Sequence, residues 1–270
     1  MSHRSSVWAG GLALAGLAAA IWLRDRQWML APADTLPLML GLPLMAFLGQ
    51  PWCISEVPRP VAAWRWLVGG GLLGFGWTTA MLTSMAAGWA VLAGCWMERG
   101  FVPTHGKQRL VWIGLLSFPW LVIDWPGIGW AYRLSGAAFV EQVFSVLAMP
   151  VSRDGVTLEV VGMPVEVQAA CAGWNLLQLC LLTGLASGAV DLRRTSRFGI
   201  LLGALPLVAW LANSVRIFLL AVAGLSWGAG VASGPLHTPI ALLVLLLVLV
   251  STRGFAAVLE PKTVVRRYVT

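Results

Sequence analysis

Charge is what this 270-residue chain most lacks: 11% of it is Asp, Glu, Lys or Arg, against about a quarter in an ordinary soluble domain. With 59% hydrophobic residues and a mean hydropathy of +0.81, that scarcity excludes a soluble globular protein and indicates a polytopic membrane protein. No solvated basic patch separates the apolar runs, so the net charge of +7 does not point to nucleic acid; positive charge held on cytoplasmic loops accounts for it. The four cysteines, Cys53, Cys95, Cys171 and Cys180, lack CxxC spacing and imply neither a disulfide framework nor a zinc cluster. Glu166 and Asp154 show no ligand spacing with Cys171 or His237, so no metal and no cofactor is expected. A rhomboid-like serine site lacks its motif, since GLASG around Ser187 has the wrong spacing for GxSG. Paired broken helices and repeated halves, the signs of a transporter, are missing too.

Long apolar runs are what the chain has instead. Crossing about 30 Å of hydrocarbon takes on the order of 20 apolar residues. Val7 to Leu23 reads as an uncleaved first span, Leu36 to Cys53 as the second, and Val61 to Met97 as two spans with a tight turn near Thr83 and Ser84. Leu110 to Ile123, Gly173 to Val190, Phe198 to Ala223 and Thr238 to Val250 complete about eight. With the N-terminus inside, thirteen of the eighteen Lys and Arg fall on cytoplasmic segments, and Arg24, Arg26, Arg133 and Arg153 fall outside. Parity then requires Trp130 to Met149 to lie as an interfacial helix on the outer surface. The alternation in TLEVVGMPVEVQ, around Gly162, Met163 and Pro164, predicts a small outer β-hairpin before Cys171. Many of the sixteen Trp fall at expected water interfaces, where they serve as anchors. The expected fold is thus an all-α polytopic protein of the cytoplasmic membrane, with both termini cytoplasmic. Residues 1–109 hold four helices with little motif signal, 110–252 the core of spans five to eight that carries the candidate reactive residues, and 253–270 a basic tail.

The topology brings three reactive side chains to the outer face. Cys171 stands where the chain enters a span, at a helix N-terminus whose amides and dipole favour a thiolate. Gly173 leaves room for a substrate backbone. Arg216 follows Phe198 by 18 residues, roughly 27 Å along a helix, and shares a face with Asn213. His237 precedes the Thr238-Pro239 start of the last span, whereas His3 and His105 map to the cytoplasmic side. A thiol, a guanidinium and an imidazole are the nucleophile, oxyanion donor and acid/base of cysteine-based acyl transfer. The contrasting reading is a non-catalytic assembly or export component, or a transporter, in which Arg216 only positions helices.

Cys171-Ala172-Gly173, Asn213-Ser214-Val215-Arg216 and His237, in that order and separated by spans, resemble the exosortase/archaeosortase family of integral membrane enzymes. The resemblance runs from about Asp124 to Val250. It implies processing, at the extracytoplasmic face, of exported proteins with a C-terminal sorting signal: a short motif, a hydrophobic helix and a basic tail. It also implies a lipid- or polysaccharide-linked acceptor for the new C-terminus. In those terms Cys171 is the nucleophile, Arg216 stabilises the oxyanion, His237 protonates the leaving amine, and Asn213 orients one of them. Ala170 departs from the pattern, because many enzymes of the family that act on PEP-CTERM signals carry an acidic residue close by.

Overall fold

The computed structural model describes residues 2–24, 32–103, 106–167, 173–228, 230, 234 and 236–260. Ten α-helices carry most of them. The chain opens with α1 (His3–Arg24), α2 (Pro32–Leu48), α3 (Ala63–Thr79) and α4 (Leu82–Gly100). A 3-10 turn over Lys107–Arg109 leads into the short α5 (Leu110–Leu115) and α6 (Trp120–Asp124), followed by α7 (Pro126–Val146). Strands β1 (Val151–Asp154), β2 (Thr157–Val160) and β3 (Met163–Glu166) precede α8 (Trp174–Asp191), α9 (Thr195–Trp227) and α10 (His237–Leu259).

Three described helices are long and apolar enough to cross a membrane: α1, α9 and the stretch Thr238–Leu259 of α10. The expectation of about eight spans is therefore met only in part, and the structure departs from the expected runs at three places. First, α3 and α4 turn at Ala80, which adopts a left-handed φ of 63°, so the turn comes earlier than Thr83 and Ser84. Those two residues already belong to α4, where the Asp124 carboxylate accepts a bond of 2.6 Å from the Thr83 hydroxyl and another from its amide. An acidic group at the first turn favours the helix there. The α3–α4 pair packs at backbone distance: a Cβ on Gly88 would sit 2.7 Å from the Gly69 carbonyl. Small residues permit such approaches between apolar helices.

Second, Leu110 to Ile123 is not one helix. Pro119 has no N–H for the Leu115 carbonyl and breaks the run. The indole of Trp120 takes over that carbonyl at 3.0 Å, and the indole of Trp22 donates to the Ser117 carbonyl at 2.9 Å. A break among apolar helices persists only where its backbone groups find such partners. Third, α2 and α3 are 17 residues each and the apolar part of α8 is Leu176–Asp191, all short for a full crossing.

The expected hairpin is a three-stranded antiparallel meander in the order β1-β2-β3. Its β2–β3 half is the predicted pair, with Leu158 opposite Val165 and Glu159 opposite Pro164. VSRD adds the third strand, pairing Val151 with Val160 and Asp154 with Thr157. Leu158 and Val160 point into an apolar cluster with Ala137, Val140 and Phe144 of α7 and Ile217 and Ala221 of α9. A larger core, from Ala18 in α1 through Trp89 in α4 to Val248 in α10, packs the remaining helices together.

Charge separates by end: Arg59, Lys107, Arg109, Arg193 and Arg194 stand at the end where α8 passes into α9, whereas Glu141, Asp154, Glu159 and Glu166 stand on or beside the sheet. At the first end Arg65 pairs with Glu98, Arg253 with Asp191, and Arg197 with Glu260 at 3.1 Å. The sheet, with its Arg153–Glu141 pair at 2.7 Å, lies at the other end.

Candidate active site

Cys180 supplies a common reference level for the three helices that carry the motifs. Its buried thiol donates to the Leu205 carbonyl at 3.5 Å and lies 3.7 Å from the Thr252 hydroxyl. From that level, at about 1.5 Å per residue, Gly173 rises about 10 Å, Asn213 about 12 Å, Arg216 about 16 Å and the backbone of His237 about 22 Å toward the sheet end. All four positions lie at the end opposite the Arg197–Glu260 pair.

Gly173 is where α8 meets α9. It precedes the helix with φ 78°, a left-handed value that favours glycine, and a Cβ there would stand 3.0 Å from Cγ of Asn213. The same turn is fixed from α7. Gly129 lies under the Trp174 indole, where an added Cβ would fall 2.4 Å from Nε1, and Arg133 donates through Nε to the Val167 carbonyl at 2.7 Å. The chain is thus pinned on both sides of 168–172, a segment that contains Cys171 and lies outside the described residues.

Asn213 is 1% exposed and Arg216 7%, and both are engaged by neighbouring groups. Three residues apart on α9, they share a face with Gly173 against it. A guanidinium buried in an apolar bundle needs polar company, so it marks a protein-lined interior and not a lipid-facing anchor. His237 opens α10, which packs on both α8 and α9. Its side chain lies outside the described residues. Gly173, Asn213 and Arg216 are therefore brought together, and the backbone of His237 reaches the same end. His3 is at the other end, because α1 runs beside the end of α4: the Trp96 indole donates to the Val7 carbonyl at 2.8 Å.

Gln178 was not singled out by the sequence. It is 1% exposed on α8, five positions after Gly173, and neither atom of its amide has a hydrogen-bond partner among the described residues. A lone amide in the apolar run LLQLC was the available signal.

Residues 3–253 match the model of a family described as Transmembrane exosortase (Exosortase_EpsH). The chain belongs to the exosortase family. Neither a curated protein nor a solved structure matches it. The family match takes in α1–α4 of this exosortase as well as the helices that carry the three motifs. Membership carries a membrane transpeptidase or protease role in general terms.

Proposed function

We propose that this exosortase is a cysteine peptidase and transpeptidase of the cytoplasmic membrane that cleaves C-terminal sorting signals of exported proteins at the outer face. The observation that supports it most is the seating of Gly173 on Asn213, which holds the residue two positions after Cys171 within one helical turn of Arg216. The separation of charge between the two ends supports the orientation, because the end rich in Lys and Arg belongs in the cytoplasm.

In this mechanism the Cys171 thiolate attacks the scissile carbonyl, and a C–S bond forms as the carbonyl π pair moves onto oxygen. Arg216 presents forked donors to that oxyanion. Collapse of the tetrahedral species expels the amine of the departing helix-and-tail fragment, which takes its proton from the His237 imidazolium. Water, or the nucleophile of a lipid- or polysaccharide-linked acceptor, then attacks the thioester, releases the thiolate and returns a proton to His237. Asn213, packed against Gly173, orients Arg216 or His237.

Co-expression with a tail-bearing candidate substrate tests the reading. Cys171→Ala is expected to abolish processing while the protein remains inserted, and Cys180→Ala to leave processing nearly intact, since Cys180 is a buried helix-packing thiol. Processing retained by Cys171→Ala would rule out the thiol mechanism.

A further inference from the structure

The end of the bundle farthest from the candidate active site carries a concave feature. A cavity of about 430 Å³ opens between the end of α4, the 101–109 segment and the α8–α9 junction. Arg59, Lys107, Arg109 and Arg193 line it, with Glu98 as the acidic member. The Glu98 carboxylate is already paired with Arg65, and none of the four ion pairs among the described residues uses a lining cation. Glu260 accepts from the Arg193 amide at 3.0 Å, but its carboxylate is shared with Arg197 and does not line the cavity. Four positive charges therefore converge without an ion-pair partner among the described residues.

Two of the four are built in. Lys107 is 6% exposed, donates to the Pro51 carbonyl at 3.3 Å and lies 5.1 Å above the Trp52 ring. Arg109 donates to the carbonyls of Gly188, Leu192 and Arg193 at 3.1, 2.6 and 3.3 Å and stacks 4.6 Å above Phe198. Arg59 and Arg193 are exposed and frame the opening. Holding like charges together is unfavourable unless an anion joins them. The exposed guanidinium forks of Arg59 and Arg193 match phosphate oxygens, and Lys107 and Arg109 add positive charge to the same lining. Met97, Phe101, Val102 and Pro103 form one apolar wall that suits the glycerol and upper acyl carbons attached to a headgroup, and Gln108 and Thr195 add polar groups to the lining.

We propose that this cavity binds a phosphate diester, that of an anionic phospholipid headgroup. Basic pockets between helices at the positively charged side of a membrane protein take such headgroups. A bound lipid would bridge the Lys107–Arg109 turn and the α8–α9 junction, at the end opposite Gly173 and Asn213.

The test uses the purified full chain in neutral detergent and follows thermal unfolding as phosphatidylglycerol, phosphatidylcholine or inorganic phosphate is added. Phosphatidylglycerol is expected to stabilise the wild type saturably and phosphatidylcholine not. R59Q/R193Q should weaken half-saturation by about tenfold or more, whereas R99Q/R194Q, which removes the same charge at the same end outside the lining, should respond as the wild type does. Equal responses of the two double variants, or equal effects of the two lipids, overturn the proposal. Stabilisation by inorganic phosphate that matches phosphatidylglycerol overturns the lipid assignment. Native mass spectrometry supplies a readout that does not depend on melting: the wild type should retain more anionic phospholipid through purification than R59Q/R193Q, and equal retention contradicts the site.

Discussion

Arg216 and Gly173 carry the sharpest expectations at the scale of single residues. A lysine at 216 keeps the charge but loses the fork, so Arg216→Lys should reduce processing on the order of a hundredfold in membranes with matched expression. Near wild-type turnover would leave Arg216 as a helix-positioning residue. Gly173→Ala faces two obstacles, a left-handed backbone and a Cβ 3.0 Å from Asn213. The backbone alone costs about 1–2 kcal/mol, so the variant should unfold earlier and process more slowly, as melting and cleavage assays would show. Cys171, Gly173, Asn213, Arg216 and His237 could all be singled out in the sequence, because reactive or conformationally special residues stand out in an apolar chain. Gln178 was hidden for the opposite reason. An amide is neither charged nor nucleophilic, and only its burial without a partner makes it unusual. Leaving such a group unsatisfied costs about 1–3 kcal/mol, so Gln178→Met should raise the melting temperature of the purified chain, and a lower one would show that the amide is held.

The helices and strands show where hydropathy misleads. The α5–α6 break was implicit in Pro119, but a sliding count of apolar residues does not weigh one missing N–H. What makes the break tolerable is two indoles contributed by Trp22 and Trp120, the former from far along the chain. Trp120→Phe should therefore destabilise by about 1–3 kcal/mol despite preserving aromatic packing, and thermal unfolding of the purified variant checks this. Strand β1 is not legible in the sequence because VSRD shows no apolar alternation; its partner β2, with Leu158 and Val160 facing α7 and α9, recruits it. At the other end of the bundle, the Glu260 carboxyl is held below its usual range, first by the Arg193 amide and then by Arg197. A depressed carboxylate contributes stability above its unfolded value, near pH 4.3, that is lost as pH falls through the folded one. Glu260→Gln should flatten the acid side of the melting profile, and an unchanged profile would mean that this junction does not hold α10 in place.

For the whole molecule, the separation of charge is the feature that sequence and structure share. The Lys and Arg that follow α4 and that join α8 to α9 stand at one end, where the ion pairs of α8, α9 and α10 also gather. How many helices cross was less legible, because several are short, kinked or held by neighbours and not by length. Reporter fusions at Gly162, in the β2–β3 turn, and after Glu260 should report opposite sides of the membrane. The central claim, that the outer end houses a thiol enzyme, is tested most directly by acid-quenching the chain during turnover of a tail-bearing substrate and mapping adducts by mass spectrometry. The account predicts the substrate's N-terminal fragment as a thioester on Cys171, absent from Arg216→Ala. A thioester on Cys180 or Cys95, or cleavage that proceeds without any cysteine adduct and survives Cys171→Ala, would contradict it.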